Sequence, residues 1–188
     1  PFAGRHGARA GGGGKTVVFA HLIKDKIAET GKRALVLAHR EELLEQAQDK
    51  ILKVDTGLRV GIEQAELKLA DDYDEDVVVA SVPTLGRMSS HRKQKFNPDE
   101  FCVIVCDEAH HASATTYLNI FRHFGVLKSE PINDWNKDLL LLGVTATPSR
   151  NDNQGIDKVF QEVVHSVSIL DGINQGWLCK IKAFRIAT

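Results

Sequence analysis

The sequence carries no excess of charge of either sign. Its 188 residues have a formal net charge of -1 at pH 7, so no overall basic field points to a polyanionic partner. A neutral average is compatible with one basic face on the folded molecule, so composition leaves nucleic-acid binding open. The apolar fraction of 43% and the charged fraction of 26% are ordinary for a globular protein with one sizeable core.

Cysteine is scarce, which excludes a disulfide framework. There are three cysteines, an odd number, and two of them fall inside one apolar run. This usage is typical of reduced core thiols in an intracellular protein. A zinc site would draw on Cys102, Cys106, His110 and His111. We disfavour that site, because both cysteines lie on a predicted strand rather than in a metal-binding knuckle.

Membrane-spanning runs, targeting segments and internal repeats are missing as well. No apolar run approaches the roughly 20 residues of a transmembrane helix, and the N-terminus lacks the apolar segment of a secretory signal peptide. We therefore expect a cytoplasmic protein. Because no domain boundary is visible, we expect one domain over residues 1–188.

The most informative stretch is residues 101–111. Five apolar residues, 102–106, predict a strand buried on both faces, and Asp107 and Glu108 follow it directly. Ligands of open α/β sheets bind outside the carboxyl ends of the strands. Nucleotide hydrolysis needs one acid there to hold hydrated magnesium and one to orient or deprotonate the attacking water. Asp107 suits the first role and Glu108 the second, although an acidic surface turn is the alternative interpretation.

A glycine-rich segment near the N-terminus provides the expected partner for these acids. It contains Gly11, Gly12, Gly13 and Gly14. A helix opening on Lys15 and Thr16 follows, and Gly31 is predicted to cap its end. Bare backbone amides and a helix N-terminus form a cradle for phosphates, with the lysine reaching the β- and γ-phosphates and the threonine binding magnesium. Arg9 replaces the first glycine of the G-x-x-x-x-G-K-[ST] pattern, and a flexible linker is the alternative interpretation.

Apolar runs alternate with amphipathic segments along the rest of the chain. Strands are predicted over residues 33–38, 59–62, 77–80 and 139–144, the last of them buried. Helices are predicted after the first of these strands, through Leu43, Ala47 and Ile51, and after the acidic strand, through Tyr117 and Phe121. Beyond Arg150, a helix is predicted over 156–164 and strands over 166–170 and 180–186. This alternation predicts a mostly parallel sheet with helices on both faces, a three-layer α/β fold.

Five short segments, in order, resemble the motifs of superfamily 2 helicases. They are Gly-Lys-Thr at 14–16, Ala-His-Arg-Glu-Glu-Leu at 38–43, Ala-Ser-Val-Pro-Thr-Leu at 80–85, Asp-Glu-Ala-His at 107–110 and Thr-Ala-Thr-Pro at 145–148. The likeness is greatest to the DEAH-type group that includes type III restriction Res subunits and UvrB-like motors. It implies the first RecA-like, P-loop ATP-binding domain of a helicase, with ATP and Mg²⁺ as cofactors.

The resemblance also assigns roles to individual residues. It implies ATP binding by the glycines 11–14, Lys15 and Thr16, metal binding by Thr16 and Asp107, and a catalytic base in Glu108. It implies coupling of nucleotide state to movement by His110, Thr145 and Thr147, although His110 is open to a purely structural role. It implies nucleic-acid contacts by Arg40, Ser81, Thr84 and Arg87. For these four, a helix cap or a surface ion pair is the alternative.

The resemblance extends to partners outside the sequence. It implies a DNA rather than an RNA substrate and a second RecA-like domain that is absent from this chain. That second domain supplies an arginine whose loss costs ~10³ to 10⁵ in rate, so we expect the isolated chain to bind ATP weakly and to hydrolyse it negligibly.

Three other functions remain open at this point. The chain is compatible with the translocase of a restriction enzyme that has a separate nuclease. The substitution at Arg9 is compatible with a nucleic-acid-binding module whose nucleotide site is inactive, although Lys15, Thr16, Asp107 and Glu108 argue against it. A transporter motor would need its own signature between the glycine-rich segment and the acidic strand, and none is present.

Overall fold

The computed structural model describes residues 13–127, 136–146, 157, 159–176 and 179. Its strands are β1 Arg33–Ala38, β2 Val60–Glu63, β3 Val77–Ser81, β4 Phe101–Asp107 and β5 Leu140–Val144. Its α-helices are α1 Gly13–Thr30, α2 Glu41–Val54, α3 Val82–Gly86, α4 Thr115–His123 and α5 Ile169–Asn174. Short 3₁₀ helices cover Arg92–Lys95, Pro98–Glu100 and Ala109–His111. The five strands form one parallel sheet in the order β2-β3-β1-β4-β5. The predicted α/β fold is confirmed.

Alternate residues of the central strands enter two separate cores. In β1, Ala34 and Val36 pack on the face covered by α1 and α2, whereas Leu35 and Leu37 pack on the opposite face with α3 and α4. All four side chains are fully buried. A continuous apolar run is what a strand needs when both of its faces are covered, so the predictions for β1, β3 and β4 agree with the structure.

The first helical layer consists of α1 and α2. Helix α1 begins at Gly13, two residues before the predicted opening on Lys15. It ends at Gly31, whose φ of +68° and amide bond to the Ile27 carbonyl, 2.8 Å, make the predicted glycine cap. In α2, Leu44 is fully buried, while the predicted core residue Leu43 is only half-buried. The other two predicted core residues of α2, Ala47 and Ile51, are buried, so the prediction differs from the structure only at the start of the helix.

The second layer joins α3 and α4 at very close range. A Cβ added to Gly86 would lie 2.2 Å from the Thr116 carbonyl oxygen, so only glycine permits this approach. The Gly86 carbonyl also accepts a hydrogen bond from Asn119 Nδ2 at 3.0 Å. Helix α3 is therefore fixed to the helix that follows the acidic strand, and it holds Arg87 at its end.

Strand β5 differs from its prediction. The strand itself is confirmed, but its burial on both faces is wrong, because β5 lies at one edge of the sheet among the described strands. Leu140 is 40% exposed, and the four residues after it are half-buried. An apolar run identifies a strand without distinguishing a central position from an edge.

The region after residue 150 also departs from the prediction. Residues 159–164 form no helix, and Val163 and Val164 are exposed. The strand predicted over 166–170 is wrong as well, because α5 starts at Ile169. Its start is fixed by a capping box, in which Ser168 Oγ accepts from the Asp171 amide and the Asp171 carboxylate accepts from Ser168. The strand predicted over 180–186 lies outside the described residues.

Candidate nucleotide site and nucleic-acid cleft

Helix α1 and the end of β4 enclose a small pocket of about 60 Å³. Its lining includes Lys15 and Thr16 from the first turns of α1 and Asp107 and Glu108 from the end of β4. These four predicted site residues therefore lie together, although they are about 90 positions apart in sequence. Of the predicted glycines, Gly13 and Gly14 lie in the first turn of α1. Gly11, Gly12 and Thr147 lie outside the described residues.

Helix α2 closes the pocket and adds residues that the sequence did not indicate. Leu43, Gln46 and Ala47 line it beside the acidic pair. Helical spacing places Leu43 and Ala47 on the inner side of α2, and Gln46 shares that side one position earlier. Gln46 therefore brings a neutral donor and acceptor into a pocket whose other polar groups are charged or hydroxylic.

The two acids have different environments within the pocket. Asp107 Oδ1 accepts a hydrogen bond from the Glu108 amide at 2.9 Å. Burial raises the pKa of Asp107 above the ordinary carboxyl value, and the neighbouring Glu108 carboxylate adds to the increase. A cation bound beside Asp107 would relieve both effects, because it favours the ionised carboxylate. Glu108 instead has its Oε1 3.6 Å from Lys15 Nζ, and both side chains are about one-third exposed.

Glu108 has an unusual backbone conformation. Its φ of +51° and ψ of +49° place it in the left-handed region, and no other non-glycine residue among the described positions has a positive φ. Such a conformation costs a non-glycine residue roughly 1–2 kcal/mol. Strain of this kind is retained where the surrounding structure fixes it, and it concentrates at functional sites. The turn carries the chain from β4 into the 3₁₀ helix Ala109–His111.

His110 connects Glu108 to the end of β5. Its Nδ1 lies 3.0 Å from Thr145 Oγ1 and 3.2 Å from Glu108 Oε2. The close approach depends on Gly143, since an added Cβ would lie 2.9 Å from Ala109 Cβ and 2.6 Å from the Phe160 ring. Two of the three residues predicted to couple nucleotide state to movement are therefore in direct contact.

The donor set of the pocket fits magnesium and not zinc. Thr16 Oγ1 and the Asp107 carboxylate are hard oxygen ligands, and magnesium completes such a set with phosphate oxygens and water. Cys102 and Cys106 are buried in β4, and burial raises the pKa of the Cys106 thiol well above its usual value. Within the described residues, no group of three or more His, Cys, Asp or Glu side chains could hold a metal ion.

A larger cleft of about 430 Å³ opens at the carboxyl ends of β2 and β3. Three of the four predicted nucleic-acid contacts line it: Ser81, Thr84 and Arg87. Ser81 precedes α3 as its N-cap residue, yet its side chain makes no capping hydrogen bond. The hydroxyl therefore lines the cleft without closing the helix, which argues against the capping alternative.

Arg40 lies next to this cleft rather than in its lining. It is the exposed N-cap residue of α2, and the adjacent Glu41 lines the cleft. Within the described part of the chain, Arg40 pairs with no carboxylate, so the predicted alternative of an ion pair with a neighbouring glutamate is not observed. Arg87 is also exposed, at the C-terminal end of α3.

Beside the cleft lies a buried carboxylate, Glu63, which the sequence did not indicate as a functional residue. Glu63 ends β2 and is fully buried, and its Oε2 accepts hydrogen bonds from Lys95 Nζ at 2.8 Å and from the Leu69 amide at 2.9 Å. Arg92 lies 3.4 Å from Glu63 Oε1 and donates to the carbonyls of two cleft-lining residues, Gln64 and Ala65. The Arg92 guanidinium therefore binds other groups of the protein. Of the two arginines that line the cleft, Arg87 is the one exposed to a ligand.

A model of the family described as type III restriction enzyme, res subunit, matches residues 8–150. The chain belongs to this family. The chain is also similar to a proposed ATP-dependent helicase, IRC3, of Saccharomyces cerevisiae, with 35% identity over 179 residues, 92% of this chain and 24% of that protein. A proposed mitochondrial ATP-dependent helicase, irc3, of Schizosaccharomyces pombe is 33% identical over 94% of this chain and 28% of that protein. The chain thus spans about a quarter of the length of each yeast relative.

The structural comparison identifies the fold of this family member. The helicase domain of Hef from Pyrococcus furiosus superposes with a TM-score of 0.56 and 21% identity, over 78% of this chain and 30% of that one. The sheet and its flanking helices are therefore RecA-like, as the sequence predicted. No helix within the described ranges is both long and apolar enough to cross a membrane.

Proposed function

We propose that this chain is the first RecA-like motor domain of an ATP-dependent DNA helicase or translocase, with residues 1–188 as one domain. The observation that carries the proposal is the meeting of Lys15 and Thr16 with Asp107 and Glu108 in one pocket. A phosphate-binding lysine, a metal-binding hydroxyl and two acids are the parts that phosphoryl transfer requires. The names of both yeast relatives support an ATP-dependent helicase.

Within this proposal each pocket residue has one task. Lys15 would contact the β- and γ-phosphates, while Thr16 and Asp107 would hold magnesium, which when bound would supply positive charge beside the phosphate oxygens. Phosphate oxygens compete with Glu108 for Lys15, now 3.6 Å from its carboxylate. Glu108 is then available to orient the attacking water and to accept its proton.

The proposed reaction needs a second RecA-like domain. Among the described residues that line the pocket, Lys15 is the only cationic one. The described lining therefore includes no arginine that could stabilise the transferring phosphoryl group. An arginine of that kind is worth ~10³ to 10⁵ in rate. We therefore assign this chain weak ATP binding and negligible hydrolysis by itself.

The cleft beside Arg40 and Arg87 is the proposed contact with the tracked strand. Serine, threonine and arginine donate to phosphate oxygens without reading bases, as a protein moving along varied sequences requires. The cleft and the nucleotide pocket share one wall, because Leu44 lines the first and Leu43 the second. Helix α2 is thus in contact with both proposed ligands.

Calorimetry with ATP and magnesium tests the nucleotide site. We expect the chain and a Lys26→Ala control to bind with the same affinity, because Lys26 is a partly exposed residue of α1 that pairs with Glu29 and does not line the pocket. Lys15→Ala should weaken binding at least tenfold, since a charge-assisted contact to phosphate is lost. Glu108→Gln should retain binding. Equal binding by the Lys15→Ala and Lys26→Ala variants would refute the proposed phosphate site.

Salt dependence of single-stranded DNA binding tests the cleft. Each phosphate contact contributes roughly 0.7 to the slope of log K against log salt concentration. We expect Arg40→Ala and Arg87→Ala to lower that slope by about one contact each. Lys53→Ala, at the opposite end of α2 from Arg40, is the matched control and should leave the slope unchanged. A reduction by Lys53→Ala equal to that by Arg40→Ala would mean that the charge effect is not local to the cleft.

One second candidate follows from the family match. The description of the matched family is that of the res subunit of type III restriction enzymes. The same motor is therefore compatible with a restriction translocase that is paired with a nuclease. Double-stranded DNA cleavage by the full-length protein distinguishes this candidate, because a helicase alone leaves both strands intact. Cytoplasmic location stays a prediction, and the fission yeast relative is named as mitochondrial.

A further inference from the structure

Three imidazole rings lie in a row at the carboxyl ends of β1 and β4. The rings of His110 and His111 have centroids 4.1 Å apart, and those of His111 and His39 are 5.9 Å apart with an interplanar angle of 32°. His39 follows β1, and the other two follow β4. Because β1 and β4 are hydrogen-bonded neighbours in parallel, with Leu37 opposite Cys106, the segments after them emerge together.

One end of this row contacts the nucleotide pocket. His110 Nδ1 lies between Glu108 Oε2 at 3.2 Å and Thr145 Oγ1 at 3.0 Å. The position of the Glu108 carboxylate therefore determines which partner the His110 ring has. In the proposed function that carboxylate exchanges Lys15 for a water molecule during the ATP cycle, so the ring is subject to two different environments.

The other end of the row precedes Arg40, which lies next to the nucleic-acid cleft. His39 and Arg40 are the two residues that connect β1 to α2, and the Arg40 carbonyl accepts hydrogen bonds from the Leu43 and Leu44 amides at 3.1 and 3.3 Å. His39 and Arg40 therefore share one short stretch of backbone between β1 and α2. Arg40 is also the residue proposed to contact phosphate.

The backbone beneath the rings is fixed by hydrogen bonding and burial. The His111 amide donates to the Glu108 carbonyl at 3.0 Å, and Ala109 and Ala112 are buried on either side. His110 and His111 themselves are partly exposed.

We propose that His111, whose ring makes tilted contacts with the rings of His110 and His39, is a positioning residue that couples the ATP site to the nucleic-acid contact at Arg40. This inference rests on the proposed function and adds a route to it: Glu108 to His110 to His111 to His39. The resemblance to helicases assigned coupling to His110, Thr145 and Thr147, and it gave no role to either His39 or His111.

Linkage provides the test, because it separates coupling from catalysis. In the full-length protein, the affinity for single-stranded DNA is measured with and without a non-hydrolysable ATP analogue, and the ratio is the coupling factor. We expect His111→Ala and His39→Ala each to bring that ratio about 2- to 30-fold closer to one, the range for residues along a coupling route. The double variant should be no worse than either single variant, because both remove the same ring contact.

Two further variants separate coupling from general damage. His21→Ala removes an exposed histidine of α1 and should leave the ratio unchanged. His111→Phe keeps a ring in place and should retain the ratio within about twofold, which also guards against an alanine variant that fails to fold. The inference is overturned if the effects of His111→Ala and His39→Ala on the coupling factor multiply in the double variant. It is also overturned if His111→Phe lowers the coupling factor as much as His111→Ala does. A coupling factor of one in the parent protein, with both ligands bound, would overturn it as well. Absence of ATP or DNA binding by the parent would instead refute the proposed function itself.

Discussion

At the amino-terminal edge of the sheet, charged side chains are bound to one another, whereas at the carboxyl-terminal edge they line two cavities. Arg33, at the start of β1, pairs with Glu100 and donates to the Glu75 carbonyl at 3.0 Å. Before β2, Arg59 pairs with Asp76 at 3.0 Å. At the opposite edge Lys15 has one carboxylate at 3.6 Å, and Arg87 projects at the cleft.

The two edges of the sheet differ in how many protein partners their cationic side chains have. A cation with several protein partners contributes to folding and has little left to offer a ligand. A cation with one distant partner retains donors for phosphate. Substitutions at the amino-terminal edge should therefore change stability without changing turnover, and those at the carboxyl-terminal edge should do the reverse.

The sharpest comparison uses two glutamates that flank the same strand. Glu108→Asn removes the proposed base at the end of β4, and we expect ATP turnover by the full-length protein to fall by ~10² to 10⁴. Its unfolding free energy should be unchanged or higher by up to about 1 kcal/mol, because asparagine adopts the left-handed conformation more readily. Steady-state hydrolysis and chemical denaturation measure the two effects.

Glu100→Gln is the matched control at the start of β4. It removes the partner of Arg33, and the side chain is 43% exposed, so the expected loss of unfolding free energy is at most about 1 kcal/mol. Turnover should stay within about twofold. If Glu108→Asn destabilised the protein more than Glu100→Gln did, the proposed division between the two edges would be wrong.

Glu63 is an exception to this comparison. It lies at the carboxyl-terminal edge of the sheet, but its ion pairs stabilise the fold. Removing one partner of a buried ion pair costs about 3–5 kcal/mol. We expect Glu63→Ala to lower the unfolding free energy by an amount near the lower end of this range, because Arg92 is 28% exposed and can be rehydrated. Lys95 is only 9% exposed and would be left without its carboxylate.

Thermal and chemical denaturation measure this cost. Glu66→Ala is the control, because it removes an exposed acid from the same loop and should change the unfolding free energy by less than about 0.5 kcal/mol. We also expect Glu63→Ala to weaken DNA binding, since Arg92 holds the cleft residues Gln64 and Ala65 through their carbonyls. Equal stability of the two variants would show that the buried network contributes little.

The sequence predicted the parts of the fold that depend on local pattern. Strands β1, β3 and β4 are continuous apolar runs, and a strand covered on both faces needs such a run. The pairing of Lys15 with the acids after β4 followed from the glycine-rich pattern before Lys15 and from the expectation that ligands bind at the carboxyl ends of the strands. Those predictions required no knowledge of loops.

The parts that could not be predicted depend on tertiary contacts. Glu63 looks like an ordinary polar residue at a strand end, and only its partners 29 and 32 positions later reveal a buried network. Gln46 is an exposed residue of α2, and it lines the pocket because α2 and the end of β4 lie side by side there, a tertiary contact that local pattern does not reveal. Beyond residue 158, Val163 and Val164 carried an apolar signal that predicted a helix, but both are exposed, at 71% and 84%.

The smallest expected effect concerns the pH dependence of the amino-terminal edge. The hydrogen bond from the Arg59 side chain lowers the pKa of Asp76 below its usual 3.8. Because the folded-state pKa is the lower one, this pair stabilises the fold above pH 4 and loses its contribution as the pH falls through the folded-state pKa. The contribution is at most about 1 kcal/mol, since Arg59 is 55% exposed. In urea titrations, Asp76→Asn should be less stable than the parent at pH 7, and the difference should shrink on acidification to pH 3. Asp71→Asn removes one charge from the same loop at a side chain 83% exposed, and a matching pH-dependent loss there would mean that net charge, rather than the Arg59 pair, is responsible.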